Sequence, residues 1–218
     1  MKINFIFYLL LFNVGFSQIN EVNKRHSFNA TFLDNPPKVD GNVLSDPIWE
    51  SIPYIDEMIQ SKPSFGFKAS ERTVIRVAFT NSNLYVSAIC YDSDPDNLVI
   101  SDSRRDSSLS DDDSFLFILD TYNDQQNGFL FGTNSSAMEY DAQIDNEGNG
   151  NRSVSRQQGG VIGGTNLNWD ASWDVKSEKG DYGWSAEFAI PLKSLRFNIG
   201  KNQTWGINFQ RNISKTSE

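Results

Sequence analysis

The chain has 218 residues, 38% of them hydrophobic and 13% aromatic, which is apolar volume enough for one packed domain and too much for a disordered chain. Its 28 acidic residues outnumber 19 basic ones for a net charge of −9, a surface that repels a phosphate backbone and excludes nucleic acid as a principal partner. With a single cysteine, Cys90, and a single histidine, His26, an internal disulfide, a Cys/His zinc site and a Cys-His catalytic pair are excluded as well.

Residues 1–17, MKINFIFYLLLFNVGFS, place Lys2 ahead of an apolar run from Ile3 to Phe16 and end in the small residues Gly15 and Ser17, the pattern of a cleavable signal peptide. Cleavage is expected after Ser17. The run is too short, and too interrupted by Asn4 and Asn13, for a membrane-spanning helix. The mature protein is therefore expected to be exported, to the periplasm, outer membrane or surface of a Gram-negative cell. Residues 18–35 read as an N-terminal extension, 36–213 as the folded domain and 214–218 as a truncated tail.

Asp46 to Ser51 predicts a short helical turn, with Asp46 as its cap and Pro47 at the first helical position, where a missing N–H does no harm. From Thr73 to Thr80, Ile75, Val77 and Phe79 alternate with Arg76, Ala78 and Thr80, the period of a strand. After a turn at Asn81 to Asn83, Leu84, Val86, Ala88 and Cys90 share one face and Tyr85, Ser87, Ile89 and Tyr91 the other, which completes a hairpin. Cys90 reads as a small buried hydrophobe. Further strands are predicted at Ser114–Tyr122, Gly128–Asn134, Met138–Asp145, Ala171–Ser177, Trp184–Ile190 and Trp205–Ile213. A second helical turn is predicted at Leu192–Leu195. Asn146 to Asn168, rich in Gly, Asn, Ser and Gln, predicts one long loop. The expected fold class is all-β: an antiparallel β-sandwich, immunoglobulin-like or jelly-roll-like, with one or two short helical turns, or else a small barrel.

PPKVDGNVLSDPIWESI, Pro36 to Ile52, resembles the opening signature of carbohydrate-binding module family 9-like domains. VIRVAFTNSNLYVSAICYDSDPDN, DDDSFLFILDTYNDQQNGFLF, WDASWDVKS, GWSAEFAIPLKSLRF and WGINFQRNI follow in the family's order. The resemblance covers nearly all of the chain after residue 35. It implies a non-catalytic module that binds a polysaccharide or oligosaccharide and is associated with carbohydrate catabolism. The variant with Arg104-Arg105-Asp106 looks like the N-terminal module of secreted bacterial proteins that continue into an outer-membrane β-barrel. That context implies, as the other reading, an accessory interaction domain of the barrel.

A sugar ring presents an apolar C–H face to an aromatic side chain and hydroxyls to polar ones. Trp169, at the end of the polar loop, is the candidate stacking residue, whereas Trp49, Trp173, Trp184 and Trp205 sit at positions that predict core packing. Tyr122, Asn123, Asp124 and Gln125, and likewise Arg104, Arg105 and Asp106, offer polar and aromatic groups on loops, which solvated loops also do. Asp92, Asp94 and Asp96 are spaced like the first half of a calcium loop, although the rest of that signature is missing and Pro95 opposes its geometry. Asp111, Asp112 and Asp113 are either a second cation site or a solvated turn. The family also implies structural calcium in some members. A glycosidase would need two carboxylates facing across a cleft; Glu187 and Glu139 are the candidates, and neither has an evident partner in the sequence.

Overall fold

The computed structural model describes residues 27–148, 164–200 and 202–218. The expected signal peptide, His26 and most of the predicted loop lie outside the described residues. Eleven strands form among those described: β1 Thr31–Phe32, β2 Tyr54–Ile55, β3 Thr73–Phe79, β4 Asn83–Tyr91, β5 Ser114–Asp120, β6 Gly128–Asn134, β7 Tyr140–Ile144, β8 Thr165–Asn166, β9 Asp174–Gly180, β10 Gly183–Pro191 and β11 Gly206–Asn212. One sheet has the order β1-β3-β4-β10-β9, with β2 also on β3; the second has the order β11-β5-β6-β7-β8. Short helical turns include α1 at Pro47–Glu50 and a 3-10 turn at Leu192–Ser194. The fold is the all-β sandwich that the alternating residues predict.

Alternation decides which side chains meet. Leu84, Val86, Ala88 and Cys90 of β4 and Trp184, Ala186, Phe188 and Ile190 of β10 face Phe115, Phe117, Leu119, Phe129 and Phe131 of the second sheet in one buried cluster. Phe117 meets Phe188 edge-on at 5.0 Å, and Trp173 stacks on Phe188 at 5.8 Å and 4°. Each such ring contributes about 1.5–3 kcal/mol of apolar burial. Burial pushes the Cys90 thiol up to about 11, so at neutral pH it is a packed, protonated side chain.

The opposite face of the first sheet is buried too. Val74, Ala78, Tyr85 and Ile89 lie beneath Val43, Trp49 and Ile52 of the Pro36–Ile52 segment. Asp46 caps α1 by accepting a hydrogen bond from the Ile48 amide at 2.9 Å, which turns Trp49 down onto the sheet. Two outward-facing residues of β10 hold this cover. The Ser185 hydroxyl donates to the Gly41 carbonyl at 2.6 Å. Glu187 accepts from the Asp40 and Gly41 amides at 2.8 and 2.7 Å and from the Trp49 indole at 2.5 Å. Gly41 sits at φ +93°, where a Cβ would stand 2.6 Å from the Ser177 carbonyl carbon, so only glycine fits this approach.

The chain differs from expectation in several places, among them β8, which lies inside the predicted Asn146–Asn168 loop. The strand predicted at Ala171–Ser177 begins at Asp174, because Ala171 and Trp173 alternate in burial while belonging to a strap whose Ala171 amide bonds the Asp141 carboxylate at 2.9 Å. Trp205 is half-buried, packed on Phe197 at 5.3 Å with its indole N–H on Gln203.

Of the Asp111–Asp113 run, Asp111 alone is an exposed turn residue. Asp112 and Asp113 are buried. Asp112 accepts from the Ser101 amide and the Asn134 side chain, and Asp113 from the Val99 amide at 2.7 Å and the Ser214 amide at 3.0 Å. Their carboxylates thereby tie the β4–β5 connection and the segment after β11 to the second sheet. Asp113→Ala strands two amides, and urea denaturation is expected to show a loss of about 2–3 kcal/mol; an unchanged midpoint would mean that water replaces the carboxylate without cost.

Candidate functional site

β7 breaks the rule that an inward position is apolar. The β6–β7 register sets Asp141 opposite Phe131 and Gln143 opposite Phe129, so both point toward the interior face, with Asp145 following at the same spacing. Gln143 and Asp145, with Thr121, Tyr122, Asn127 and Arg196, line an open depression of about 190 Å³. The Gln143 side chain donates to Asp145 at 2.9 Å, and the Thr121 hydroxyl donates to the Arg196 carbonyl. This volume lies below the roughly 300–1,000 Å³ of enclosed small-molecule pockets, so the site is a shallow rim.

Trp169 stands beside this rim. Its ring lies 4.9 Å from Phe129 and 6.0 Å from Phe131, half-buried against the core edge rather than projecting freely. Tyr122 is 44% exposed at the depression. The turn that follows serves itself: Asp120 accepts from the Asp124 and Gln125 amides, while Asp124 accepts from the Gln126 and Asn127 amides and the Asn127 side chain. These bonds hold the Asp124 carboxyl below the usual range. Asn123 and Gln125 sit at φ +53° and +60° in the same turn. Of this group, Tyr122 reaches the depression.

Next to Trp169, Arg105 gathers four carboxylates. It bonds Glu139 at 2.6 Å, Asp141 at 2.7 Å and Asp170 at 2.6 Å, with Asp106 at 3.6 Å. One guanidinium cannot neutralise four anions. Burial, with Asp141 and Asp170 close by, raises the Asp106 carboxyl above its ordinary value. The result is a polar, net-negative patch that continues the line of Gln143 and Asp145 along β7. Arg104 turns away to pair with Asp102 at 2.6 Å and stays 85% exposed, so the Arg104-Arg105-Asp106 triplet divides between two environments.

The calcium spacing resolves differently. The Asp92 side chain is buried and faces Lys215 at 2.5 Å and Arg211 at 3.6 Å. Asp94 holds the Asn97 side chain at 2.9 Å, and Asp96 is exposed. Among the described residues, no group of three or more His, Cys, Asp or Glu side chains is placed to hold a metal ion. Asp92, Asp94 and Asp96 therefore do not fit calcium: a carboxylate already facing two side-chain cations has little left to offer a third. Neither glycosidase candidate faces a cleft. Glu187 lies beneath the Pro36–Ile52 cover, and Glu139 is paired with Arg105.

No protein-family model and no curated protein matches the sequence. The structure does have neighbours. A carbohydrate-binding module family 9 from Caldicellulosiruptor kristjanssonii in complex with glucose superposes with a TM-score of 0.55 at 18% identity, over 85% of this chain and 77% of that one. The chain has the family 9 module fold. A family 9 module from the same organism in complex with cellotriose gives a TM-score of 0.54 at 19% identity, over 84% and 76% of the two chains. A protein from Bacteroides uniformis gives 0.54 at 14% identity, over 85% and 83%. The family 9 resemblance read from the ordered segments thus holds at the level of the fold.

On this family 9 fold, Gln143, Asp145, Thr121, Asn127 and Arg196 were not among the sequence candidates, and neither were Asp141 and Asp170. A signal was available. YDAQID puts Asp141, Gln143 and Asp145 on one face of a strand beside a Phe-rich neighbour, an arrangement that a core does not want. Arg196 and Asp170 are brought in only by the tertiary fold.

Proposed function

We propose that this protein is a non-catalytic carbohydrate-binding module, whose site runs along the inward face of β7 from the Arg105 patch to the depression at Tyr122. The observation that carries this reading is the sandwich shared over 85% of the chain with a module solved with glucose. The local chemistry supports it. Trp169 offers an apolar ring surface, while Gln143 and Asp145 at the depression and the exposed Asp170 of the Arg105 patch offer hydroxyl partners. The substrate class is a neutral glucan or related oligosaccharide, since the patch around Arg105 is net negative and disfavours acidic polymers. In the exported setting that the sequence predicts, the module holds a larger assembly close to polysaccharide as an accessory to its breakdown. A barrel on the same polypeptide fits that role.

Titration of the purified protein with glucose, cellotriose and a wider glycan panel, followed by calorimetry and Trp fluorescence, tests this. Binding in the micromolar to millimolar range is expected for at least one neutral glycan, and Trp169→Ala is expected to weaken it by about ten- to thirtyfold, or about 1.4–2 kcal/mol. The absence of heat and of a fluorescence change at millimolar sugar would sink the proposal.

A further inference from the structure

Between β2 and β3 the chain throws out a hairpin that the sandwich does not use. Ile59 bridges Lys68, the Gln60 amide bonds the Phe67 carbonyl at 2.8 Å, and the Gly66 and Ala69 amides bond the Gln60 and Met58 carbonyls at 3.0 Å. This ladder fixes the backbone, yet its large side chains find no core: Ile59 is 58% exposed, Phe65 73% and Phe67 69%. Three large apolar side chains open to water within nine residues are far outside the scattered exposure of an ordinary surface. The charge is as unusual. Between Met58 and Ser70 the only ionisable residues are Lys62 and Lys68, on a chain of net charge −9. Both lysines are exposed, and neither has an ion pair among the described residues.

The hairpin leaves from the Thr73 end of β3, where Arg211 of β11 reaches the carbonyls of Arg72 and Tyr91. β5 begins at that end, with Phe115 opposite Arg211, and finishes at Asp120 beside the depression. Hairpin and rim therefore lie at opposite ends of a strand of seven residues, about 23 Å apart.

We propose that the Ile59–Lys68 hairpin docks the protein on a lipid bilayer surface with anionic headgroups, inserting Phe65 and Phe67 among the acyl-chain ends while Lys62 and Lys68 meet the phosphates. Charge complementarity selects this occupant: the hairpin carries only positive charges, with carboxylates at its base in Glu57 and in Glu218 on the Ser70 amide, so an anionic surface attracts its tip and orients the acidic body away. Recognition by bare apolar side chains and two point charges needs no directional partners, which suits headgroups and hydrocarbon. A sugar is the poorer fit. Its hydroxyls require convergent hydrogen-bonding side chains, and beside the short hydroxyls of Ser61 and Ser64 the hairpin has Gln60, whose side-chain amide already donates to the Lys68 carbonyl at 3.0 Å.

The test uses the intact protein with vesicles of phosphatidylcholine alone and of phosphatidylcholine with one quarter phosphatidylglycerol. Co-sedimentation is expected only with the second kind at low salt, falling severalfold as salt is raised, since headgroup attraction is screened. The double variant Phe65→Ser, Phe67→Ser is expected to reduce partitioning at least about tenfold with the unfolding midpoint and glycan titration unchanged. In Phe67→Trp, the new indole is expected to shift to the blue on anionic vesicles and to be quenched by lipids brominated along their acyl chains. No sedimentation with either vesicle, sedimentation indifferent to the Phe pair, or an indole in the Phe67→Trp variant that responds to polygalacturonate but not to vesicles would each overturn the assignment, the last in favour of an acidic polymer.

Discussion

Glu187→Ala is expected to lower the unfolding free energy by about 3–5 kcal/mol, among the largest losses for any single side chain in the molecule. Two backbone amides and one indole N–H converge on this carboxylate, and truncation leaves all three donors buried beside a void. Glu187→Gln separates shape from chemistry. The glutamine can still accept from Asp40 and Gly41, but its amide nitrogen then meets the Trp49 N–H donor to donor, and a loss of about 1–3 kcal/mol is expected. Differential scanning calorimetry reads both. The pH dependence carries a sign as well. Burial raises the folded-state pKa of Glu187 above its ordinary value, so the folded protein holds this proton over a range where the unfolded chain has released it. The associated stability is full below the ordinary glutamate range and is lost as pH climbs through the folded value. Glu187→Gln is expected to flatten that component. A wild-type stability profile unchanged by the substitution would refute the assignment.

Arg105→Ala has the next largest expected effect, and it falls on both stability and binding. The Asp141 side chain is 1% exposed and keeps the Ala171 amide as its remaining partner once the guanidinium is gone. With Glu139, Asp170 and Asp106 facing it, the loss is expected to reach about 2–4 kcal/mol, below that of a fully buried pair because Arg105 is itself 40% exposed. The defect is expected to narrow as pH falls, because Asp106, already raised by burial, takes up a proton and removes one of the facing charges. Because Arg105 holds Asp170 beside Trp169 on the proposed glycan path, affinity should fall tenfold or more in the same variant at a temperature where it remains folded. Calorimetric melts across pH together with glycan titration distinguish this outcome from a purely structural role, for which affinity would persist.

The strands were legible wherever one face met the core. β3, β4, β5, β6 and β10 alternate over seven to nine residues, and the period of two places their inward side chains correctly. β1, β2 and β8 are two residues long, too short for any periodicity, and tertiary pairing alone defines them. Alternation could not reveal that β4 is buried on both faces, since Tyr85, Ser87 and Ile89 are covered by a segment some forty residues earlier in the chain. The opening signature could be recognised but not interpreted: that Asp40-Gly41 and Trp49 answer to Glu187 is a fact of the third dimension. The candidate site was legible only in part. Trp169, Tyr122 and Arg105 border the rim, yet the aspartates that looked most like ligands, at 92 and 112–113, neutralise cations or hold backbone amides inside the body. Acidic runs in sequence do not distinguish a carboxylate facing water from one anchoring a loop.

The bonds from Asp40 and Gly41 to Glu187 close loops of 147 and 146 residues, and this has a consequence for how the molecule assembles. Chain entropy delays contacts so remote, which places the domain among slow β-folders, completing in about milliseconds to seconds. As the polypeptide emerges from the ribosome, Trp49 and the Asp40-Gly41 amides lack their Glu187 anchor until β10 has been made. Holdases have that interval in which to engage them. The earliest-synthesised part of the sandwich is thus among the last to lock.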